Sequence, residues 1–210
     1  MGEIIADLHM AFKKCEDVDV FWNNSILDEM NGWVKSNFEA NDWKFISKEE
    51  YEQTVSQLAM VYDHLPVQLI HRDVHFGNFL FSDGKFSGYI DFDLSQKNIR
   101  IFDLCYFLLG LLSEKEKLEI TDEQWFDPVK KAFAGYGRKL KLTEAEKNAV
   151  PYVMECIYIT TPFSGTPSRT PYKGCTPSRS CGFWNCPSRQ RSSGIPAYTF
   201  RRKCTAPCCI

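Results

Sequence analysis

The chain has 210 residues, of which 44% are hydrophobic and 14% aromatic, and this is enough for one domain with a substantial core. Its longest apolar stretch, residues 101–112, is shorter than the roughly 20 residues that a membrane-spanning helix needs. The first thirty residues carry several acids and no long apolar run, unlike a secretory signal or a transit peptide. We therefore expect a globular protein of the cytoplasm with no membrane partner.

The net charge of −2 is an average over two unlike parts of the chain. Residues 1–159 carry all 27 acidic side chains and 17 of the 25 basic ones, so this part is near −10. Residues 160–210 carry eight Lys or Arg and no acid, together with seven of the ten prolines and six of the nine cysteines. We expect a folded domain over 1–159 and a basic tail over 160–210 that is disordered, or that results from a shifted reading frame or a fusion.

The cysteines and basic residues of the tail raise three possibilities: a zinc finger, a disulfide framework and a nucleic-acid-binding segment. Its cysteines form no C-x-x-C pair and have no histidine nearby, which argues against a zinc finger. A disulfide framework does not suit a cytoplasmic chain, and charge alone favours binding of nucleic acid. We expect none of these three features in the tail.

Apolar residues recur at helical spacing in three stretches before Pro66. The third stretch begins at a capping pair, Ser47 and Glu50. The first two stretches place on one face, respectively, Ile4, Ile5, Leu8 and Phe12, and Ile26, Met30, Trp33, Val34 and Phe38. The sequence therefore predicts three helices here.

The pattern changes after Pro66, where "VQLI" is short, apolar and strand-like. Asp83-Gly84 then stands between two aromatic-rich runs, "NFLF" and "FSGYIDF", which predicts a β-hairpin. We interpret "DLSQKNIR" as a loop. Helical spacing returns over 101–112, 122–139 and 143–158, the last with a second capping pair. The expected fold class is α+β, mostly helical around one small hairpin.

The stretch "HRDVHFGNFLF", residues 71–81, combines several polar side chains with an apolar flank. Asp73 and Asn78 bracket a tight loop, and Asp91 follows the second strand of the hairpin. Because a hairpin returns its far end to its beginning, we expect these three side chains to meet. Their hard oxygen atoms suit Mg²⁺ with phosphate, and a carboxylate beside the metal can accept a proton from an alcohol. Asp73 is the candidate for this base.

A zinc site is the competing interpretation of this stretch. His71 and His75 have the four-residue spacing of a zinc-binding helix. Arg72, however, stands where such a motif needs Glu, and the strand-like residues before it and Gly77 after it argue against a helix. We therefore favour the oxygen site and assign His75 no role.

"HRDVHFGN" followed by "IDFD" resembles the catalytic loop and metal-binding segment of the aminoglycoside phosphotransferase and choline kinase family, which has a protein-kinase-like fold. Protein kinases share the H-x-D-x-x-x-x-N pattern, but they have Lys at the position of His75. The opening "GEIIADLH" is similar to the helix that begins the larger, C-terminal lobe of the family. The resemblance covers roughly residues 1–158.

The resemblance also implies roles for six residues. Asp73 would be the catalytic base, and Asn78 and Asp91 would bind Mg²⁺ and with it ATP. The further roles that the resemblance implies are assistance at the metal by Asp93, support of the loop by His71 and bracing of the loop by Asp103.

The function implied is transfer of the γ-phosphate of ATP to a hydroxyl group of a small molecule, and the acidic body favours a cationic acceptor. Kinase-like enzymes also use a smaller lobe that covers the phosphates and supplies a lysine. Residues 1–66 read as helices without a Gly-rich loop, so we expect that lobe to be absent. The alternative is therefore a truncated, non-catalytic remnant or binding module. The resemblance leaves the acceptor open among aminoglycosides, choline-like alcohols and other small hydroxyl compounds.

Overall fold

A computed structural model of the chain describes residues 1–15, 22–44, 46–115 and 121–160. The basic tail, which composition predicts from residue 160 onward, lies outside the described residues apart from its first position. In chain order the elements are α1 (Gly2–Phe12), α2 (Ile26–Glu29), α3 (Lys35–Ala40), α4 (Lys48–Tyr62), β1 (Val67–Ile70), β2 (Phe79–Ser82), β3 (Lys85–Tyr89), β4 (Gln96–Ile99), α5 (Ile101–Lys115), α6 (Asp122–Lys139) and α7 (Glu144–Thr160). The predicted α+β, mostly helical fold class is confirmed.

Helix α1 forms where the sequence predicts it and packs mainly against α6. Ile5, Leu8 and Phe12 are buried, as expected from their spacing, while Ile4 is only half-buried. A Cβ atom on Gly2 would lie 1.9 Å from the carbonyl oxygen of Ala132 in α6. Glycine at this position therefore allows the two helices to approach closely.

The second predicted helix is divided into α2, a π-helical turn over Met30–Val34, and α3. Gly32 departs from helical geometry, with φ −98° and ψ −110°. Of the five residues expected on one face, four are buried, but the side chain of Trp33 is 37% exposed. The prediction for Trp33 is wrong because a π-helical turn contains extra backbone and rotates this residue away from the core.

Helix α4 begins at the predicted capping box. The hydroxyl of Ser47 accepts a hydrogen bond of 3.2 Å from the backbone amide of Glu50, whose carboxylate accepts one of 3.1 Å from the amide of Ser47. Tyr51, Val55 and Leu58 follow at helical spacing and are buried. This face of α4 packs against α7.

The predicted hairpin is present as the antiparallel pair β2 and β3, with Phe79 opposite Tyr89. A second antiparallel pair joins β1 to β4, so the interpretation of residues 96–99 as a loop is wrong. Gln96 and Asn98 are almost completely buried although they are polar. They form a strand because β1 supplies hydrogen-bond partners for their backbone amide and carbonyl groups. A hydrophobic pattern in the sequence cannot reveal this pairing.

Helix α5 is the apolar run that the sequence interprets as a buried helix, and it packs against α7, α6 and α1. The second predicted capping pair is confirmed at the start of α7, where Thr143 and Glu146 exchange hydrogen bonds. Glu146 is fully buried and also accepts two bonds from Arg100, at 2.9 Å and 2.5 Å. None of the helices within the described ranges combines the length and apolar character needed to cross a membrane.

Candidate active site

The polar loop 71–78 leaves the end of β1 and closes on itself through His75. The backbone amide of Gly77 donates to Nδ1 of His75 at 3.0 Å, and the amide of Asn78 donates to its carbonyl oxygen at 3.0 Å. The residues Phe76–Asn78 form a short 3-10 turn. His75, to which sequence reasoning assigned no role, thus shapes the loop between the two predicted site residues.

Asp73 and Asn78 are in direct contact. The Nδ2 atom of Asn78 donates one hydrogen bond of 3.0 Å to the carboxylate of Asp73 and one of 2.9 Å to its carbonyl oxygen. Asn78 is buried, so these bonds hold its amide in one orientation. The Oδ1 atom of Asn78 takes no part in them and can serve another ligand.

The carboxylate of Asp73 has two further neighbours. The hydroxyl of Tyr106 donates to its Oδ1 atom at 3.0 Å, and Nε2 of His75 lies 3.6 Å from its Oδ2 atom. Burial acts to raise the pKa of Asp73, but the contacts from His75, Tyr106 and Asn78 outweigh it and lower the pKa below its usual value. Burial raises the pKa of Tyr106 well above its usual value, so Tyr106 remains a hydrogen-bond donor.

The end of the hairpin is attached to the same loop through Ile90. The amide of Ile90 donates to the carbonyl oxygen of Asn78 at 3.0 Å, and Nε2 of His71 donates to the carbonyl oxygen of Ile90 at 3.1 Å. Asp91 follows directly, with a left-handed backbone (φ 63°) and an exposed side chain. The backbone at Asp91 therefore directly follows a residue that is bonded to Asn78, and the meeting of the Asp91 side chain with Asp73 and Asn78 stays a prediction. Asp93 is exposed in the turn Phe92–Leu94.

Asp103, in α5, binds the backbone of the loop at its first two residues. Its two carboxylate oxygens accept hydrogen bonds from the backbone amides of His71, at 2.9 Å, and Arg72, at 2.8 Å. Nε2 of His9 donates to the same carboxylate at 3.0 Å, and Nδ1 of His9 lies 2.8 Å from the hydroxyl of Tyr136. These are contacts that a supporting role for Asp103 requires, and they connect α1, α5 and α6 to the loop.

Sequence reasoning missed Tyr106 and His9. Tyr106 follows Asp103 by three residues in α5, so the two side chains share one face of that helix. His9 adjoins Leu8 on the buried side of α1, and a buried histidine needs polar partners. In both cases the signal was a polar group among apolar residues, but it did not identify the partner.

A divalent cation fits the oxygen atoms at the mouth of this loop. Among the residues that the structure describes, no three His, Cys, Asp or Glu side chains converge as a ready-made metal cluster. The free Oδ1 of Asn78 and the exposed carboxylate of Asp91 are hard ligands. Mg²⁺ commonly takes one or two such protein ligands and completes its shell with water and substrate phosphates.

The architecture defines a class of protein: a mostly helical lobe with a polar loop and a hairpin at one end, which is a kinase-like fold. The sequence model of the phosphotransferase enzyme family (APH) matches residues 1–142, more than half of the chain. The chain belongs to this family.

Solved structures of kinases are similar to this chain. One is of an amicoumacin kinase in complex with AMP-PNP, Ca²⁺ and Ami, with 19% sequence identity and a TM-score of 0.55, covering 74% of this chain and 47% of that one. Another is of a glucosamine kinase, with 15% identity and a TM-score of 0.47, covering 74% of this chain and 44% of that one. This chain therefore spans less than half the length of either kinase. No curated protein sequence matches it.

Proposed function

We propose that this chain supplies the larger, C-terminal lobe of an ATP-dependent phosphotransferase that transfers the γ-phosphate to a hydroxyl group of a small molecule. The observation that carries the proposal is the contact between Asp73 and Asn78 at the mouth of the hairpin. A carboxylate and an oriented amide oxygen, side by side on one rigid loop, are what a base and a metal ligand for this reaction require. Family membership supports the same class of reaction.

Asp73 is the catalytic base in this proposal. Its lowered pKa keeps the carboxylate ionised near neutral pH, so it can orient the acceptor hydroxyl and take its proton. As the hydroxyl oxygen bonds to the γ-phosphorus, the bond from that phosphorus to the bridging oxygen breaks and ADP leaves. The proton then passes from Asp73 to solvent.

In this proposal Asn78 and Asp91 would hold Mg²⁺, and exposed Asp93 would assist at the edge of the site. The metal, when bound, would supply positive charge to balance that of the transferring phosphate. Asn78 has a second task, because its Nδ2 orients the carboxylate of Asp73. Asn78 thus connects the proposed base to the proposed metal ligands.

His71 and Asp103 support the loop in this proposal without touching the substrate. His71 connects the loop to the end of β3 through Ile90, and Asp103 binds two backbone amides of the loop. Together they hold Asp73 and Asp91, which come from separate parts of the chain, on one rigid base.

The proposed ligands are a small hydroxyl compound and a nucleotide with a divalent cation. The amicoumacin kinase was solved with AMP-PNP and Ca²⁺, a pair of the same chemistry. The acidic charge of residues 1–159 favours a cationic acceptor. In this proposal the chain acts in the cytoplasm, where ATP and Mg²⁺ are available.

Titration calorimetry with AMP-PNP tests this function, performed once with Mg²⁺ and once with EDTA. We expect binding that depends on Mg²⁺ and that is lost in Asp91→Ala. Absence of binding to the wild-type chain, with its fold verified by circular dichroism, would instead favour a non-catalytic remnant of the family.

A further inference from the structure

The residue before the proposed base has an unusual backbone. Arg72 has φ 68°, in the left-handed region that residues with a Cβ atom rarely adopt. Its amide donates to Asp103, which fixes one side of the residue. Asp73 is the next residue. The backbone conformation of Arg72 therefore determines the direction in which the chain continues after β1, and with it the position of Asp73.

The side chain of Arg72 is held by a close, shielded ion pair. Its Nη2 atom donates to both carboxylate oxygens of Glu29, at 2.6 Å and 2.7 Å, and Nη1 donates to Gln96 at 3.1 Å. The side chains of Arg72 and Glu29 are only 23% and 8% exposed. The guanidinium carbon also lies 5.7 Å from the ring centroid of Phe102. Charge-assisted bonds of this kind are strong and directional.

Glu29 is itself fixed in place. The side-chain amide of Asn24 donates to its Oε1 atom at 2.6 Å. Glu29 ends α2, whose N-terminus is capped by Ser25: the Ser25 hydroxyl accepts a hydrogen bond from the backbone amide of Asp28. The backbone amide of Asn24 donates to the carbonyl oxygen of Lys97 in β4 at 3.0 Å, and β4 pairs with β1, the strand that carries the loop. Glu29 and the loop 71–78 are thus both connected to the same two-stranded sheet, β1–β4.

We propose that Glu29 is a positioning residue for phosphoryl transfer: through Arg72 it holds the left-handed backbone that aims Asp73 at Asn78. The inference rests on the proposed function. Without the carboxylate of Glu29, residue 72 relaxes toward negative φ, which rotates the following peptide. The hydrogen bond between Asn78 and Asp73 is then the first contact to be lost.

A matched control is present in the same chain. Arg100 and Glu146 form another shielded pair, in which Nε and Nη2 of Arg100 bind the two oxygens of Glu146. Their side chains are 10% and 0% exposed. This pair connects the start of α5 with α7, and none of the hydrogen bonds that the described residues show for these two side chains involves the loop 71–78. Loss of Glu146 therefore reports on stability alone.

Nuclear magnetic resonance gives a readout that needs no turnover, because the side-chain amide of Asn78 has its own ¹H–¹⁵N signals. The full chain is compared with Glu29→Gln and Glu146→Gln, and thermal unfolding midpoints are measured in parallel. We expect Glu29→Gln to shift the Asn78 side-chain signals and to accelerate backbone hydrogen exchange over 71–78 by at least roughly 10-fold. Glu146→Gln should lower the midpoint and leave these signals in place.

Two variants at residue 72 separate the backbone from the side chain. Glycine adopts positive φ freely, whereas alanine does not. We therefore expect Arg72→Gly to retain the Asn78 signals better than Arg72→Ala, although both lack the ion pair. Where phosphoryl transfer is measurable, Glu29→Gln should lower kcat by roughly 10- to 100-fold and leave KM for ATP unchanged.

The outcomes are distinct. Unshifted Asn78 signals in Glu29→Gln, or equal shifts in Glu146→Gln, would overturn the positioning role. Exchange that rises uniformly over the whole chain in Glu29→Gln would also overturn it, because the pair would then serve only stability. If wild type fails to bind AMP-PNP with Mg²⁺, the proposed function fails, and the resonance test still decides whether Glu29 aims Asp73.

Discussion

Asn78 donates a hydrogen bond of 3.0 Å from its side-chain amide to the carboxylate of Asp73. The two residues are five positions apart in a loop that His75 closes. The contact fixes the proposed base and the proposed metal ligand relative to each other, so neither can rotate without the other. The contributions of the two side chains can nevertheless be separated by experiment.

Asp73→Ala should abolish phosphoryl transfer while leaving the affinity for AMP-PNP with Mg²⁺ within about 3-fold of wild type. The physical reason is that a base acts on the proton of the acceptor, and the nucleotide is held through the metal. Titration calorimetry and a coupled ADP assay measure the two quantities. A loss of affinity as large as that in Asp91→Ala would contradict this division of roles.

Asp91→Ala should remove the thermal stabilisation that AMP-PNP with Mg²⁺ confers on the wild-type chain. Its carboxylate supplies the one full negative charge among the two proposed metal ligands, and ligand-linked stabilisation disappears when affinity is lost. Differential scanning fluorimetry measures the shift in the unfolding midpoint.

Asp93→Ala is the comparison, because Asp93 is also exposed, lies only two residues away and is proposed to assist at the metal without being a main ligand. We expect it to retain more than half of the shift. An equal loss in both variants would contradict the division in which Asp91 is the ligand and Asp93 only assists. Repeating the scan with Ca²⁺ tests whether the site distinguishes the two cations by size.

Asp103→Ala should lower the free energy of unfolding by about 3–5 kcal/mol, because it leaves two buried donors and one partly buried donor without an acceptor. These donors are the backbone amides of His71 and Arg72 and the ring of His9. Urea denaturation measures the effect. Asp93→Ala removes an exposed carboxylate and should stay within about 0.5 kcal/mol of wild type. A loss below 1 kcal/mol in Asp103→Ala would show that water replaces the carboxylate.

Two glycine substitutions should have opposite signs. Gly2→Ala places a Cβ atom 1.9 Å from a backbone oxygen of α6, and we expect a loss of about 1–3 kcal/mol in the free energy of unfolding. Gly137→Ala meets no atom within 4 Å and lies inside α6. It should stabilise the protein by up to about 1 kcal/mol, since alanine favours the helix. Thermal and urea unfolding of both variants check the signs.

Local patterns in the sequence predicted those parts of the fold that depend on near neighbours. Ser47 with Glu50 and Thr143 with Glu146 identified the starts of two helices because each cap joins residues only three apart. Asp83-Gly84 identified the hairpin for the same reason. The motif from residue 71 to residue 78 indicated a kinase-like phosphotransferase, and the family match confirms that class.

The errors occurred where distant neighbours override a local pattern. Residues 96–99 form a strand because β1 supplies hydrogen-bond partners from about thirty residues earlier, and polarity alone had suggested a loop. Trp33 is exposed because Gly32 and a π-helical turn change the rotation of the chain. In each case the deciding interaction has no signature in the adjacent residues.

The sequence by itself determined the helices, the hairpin and the polar residues of the candidate site, because periodicity, caps and turns are encoded over a few positions. Only the tertiary structure decided which side chains surround the loop: Tyr106 contacts Asp73 from 33 positions away, and Glu29 forms an ion pair with Arg72 from 43 positions away. Hydrogen bonds from α2 and α5 to the loop 71–78 make these contacts, and they form only when the whole chain folds. The environment of the Asp73 carboxylate cannot be read from residue types, because it depends on the hydrogen-bond partners that folding brings to it.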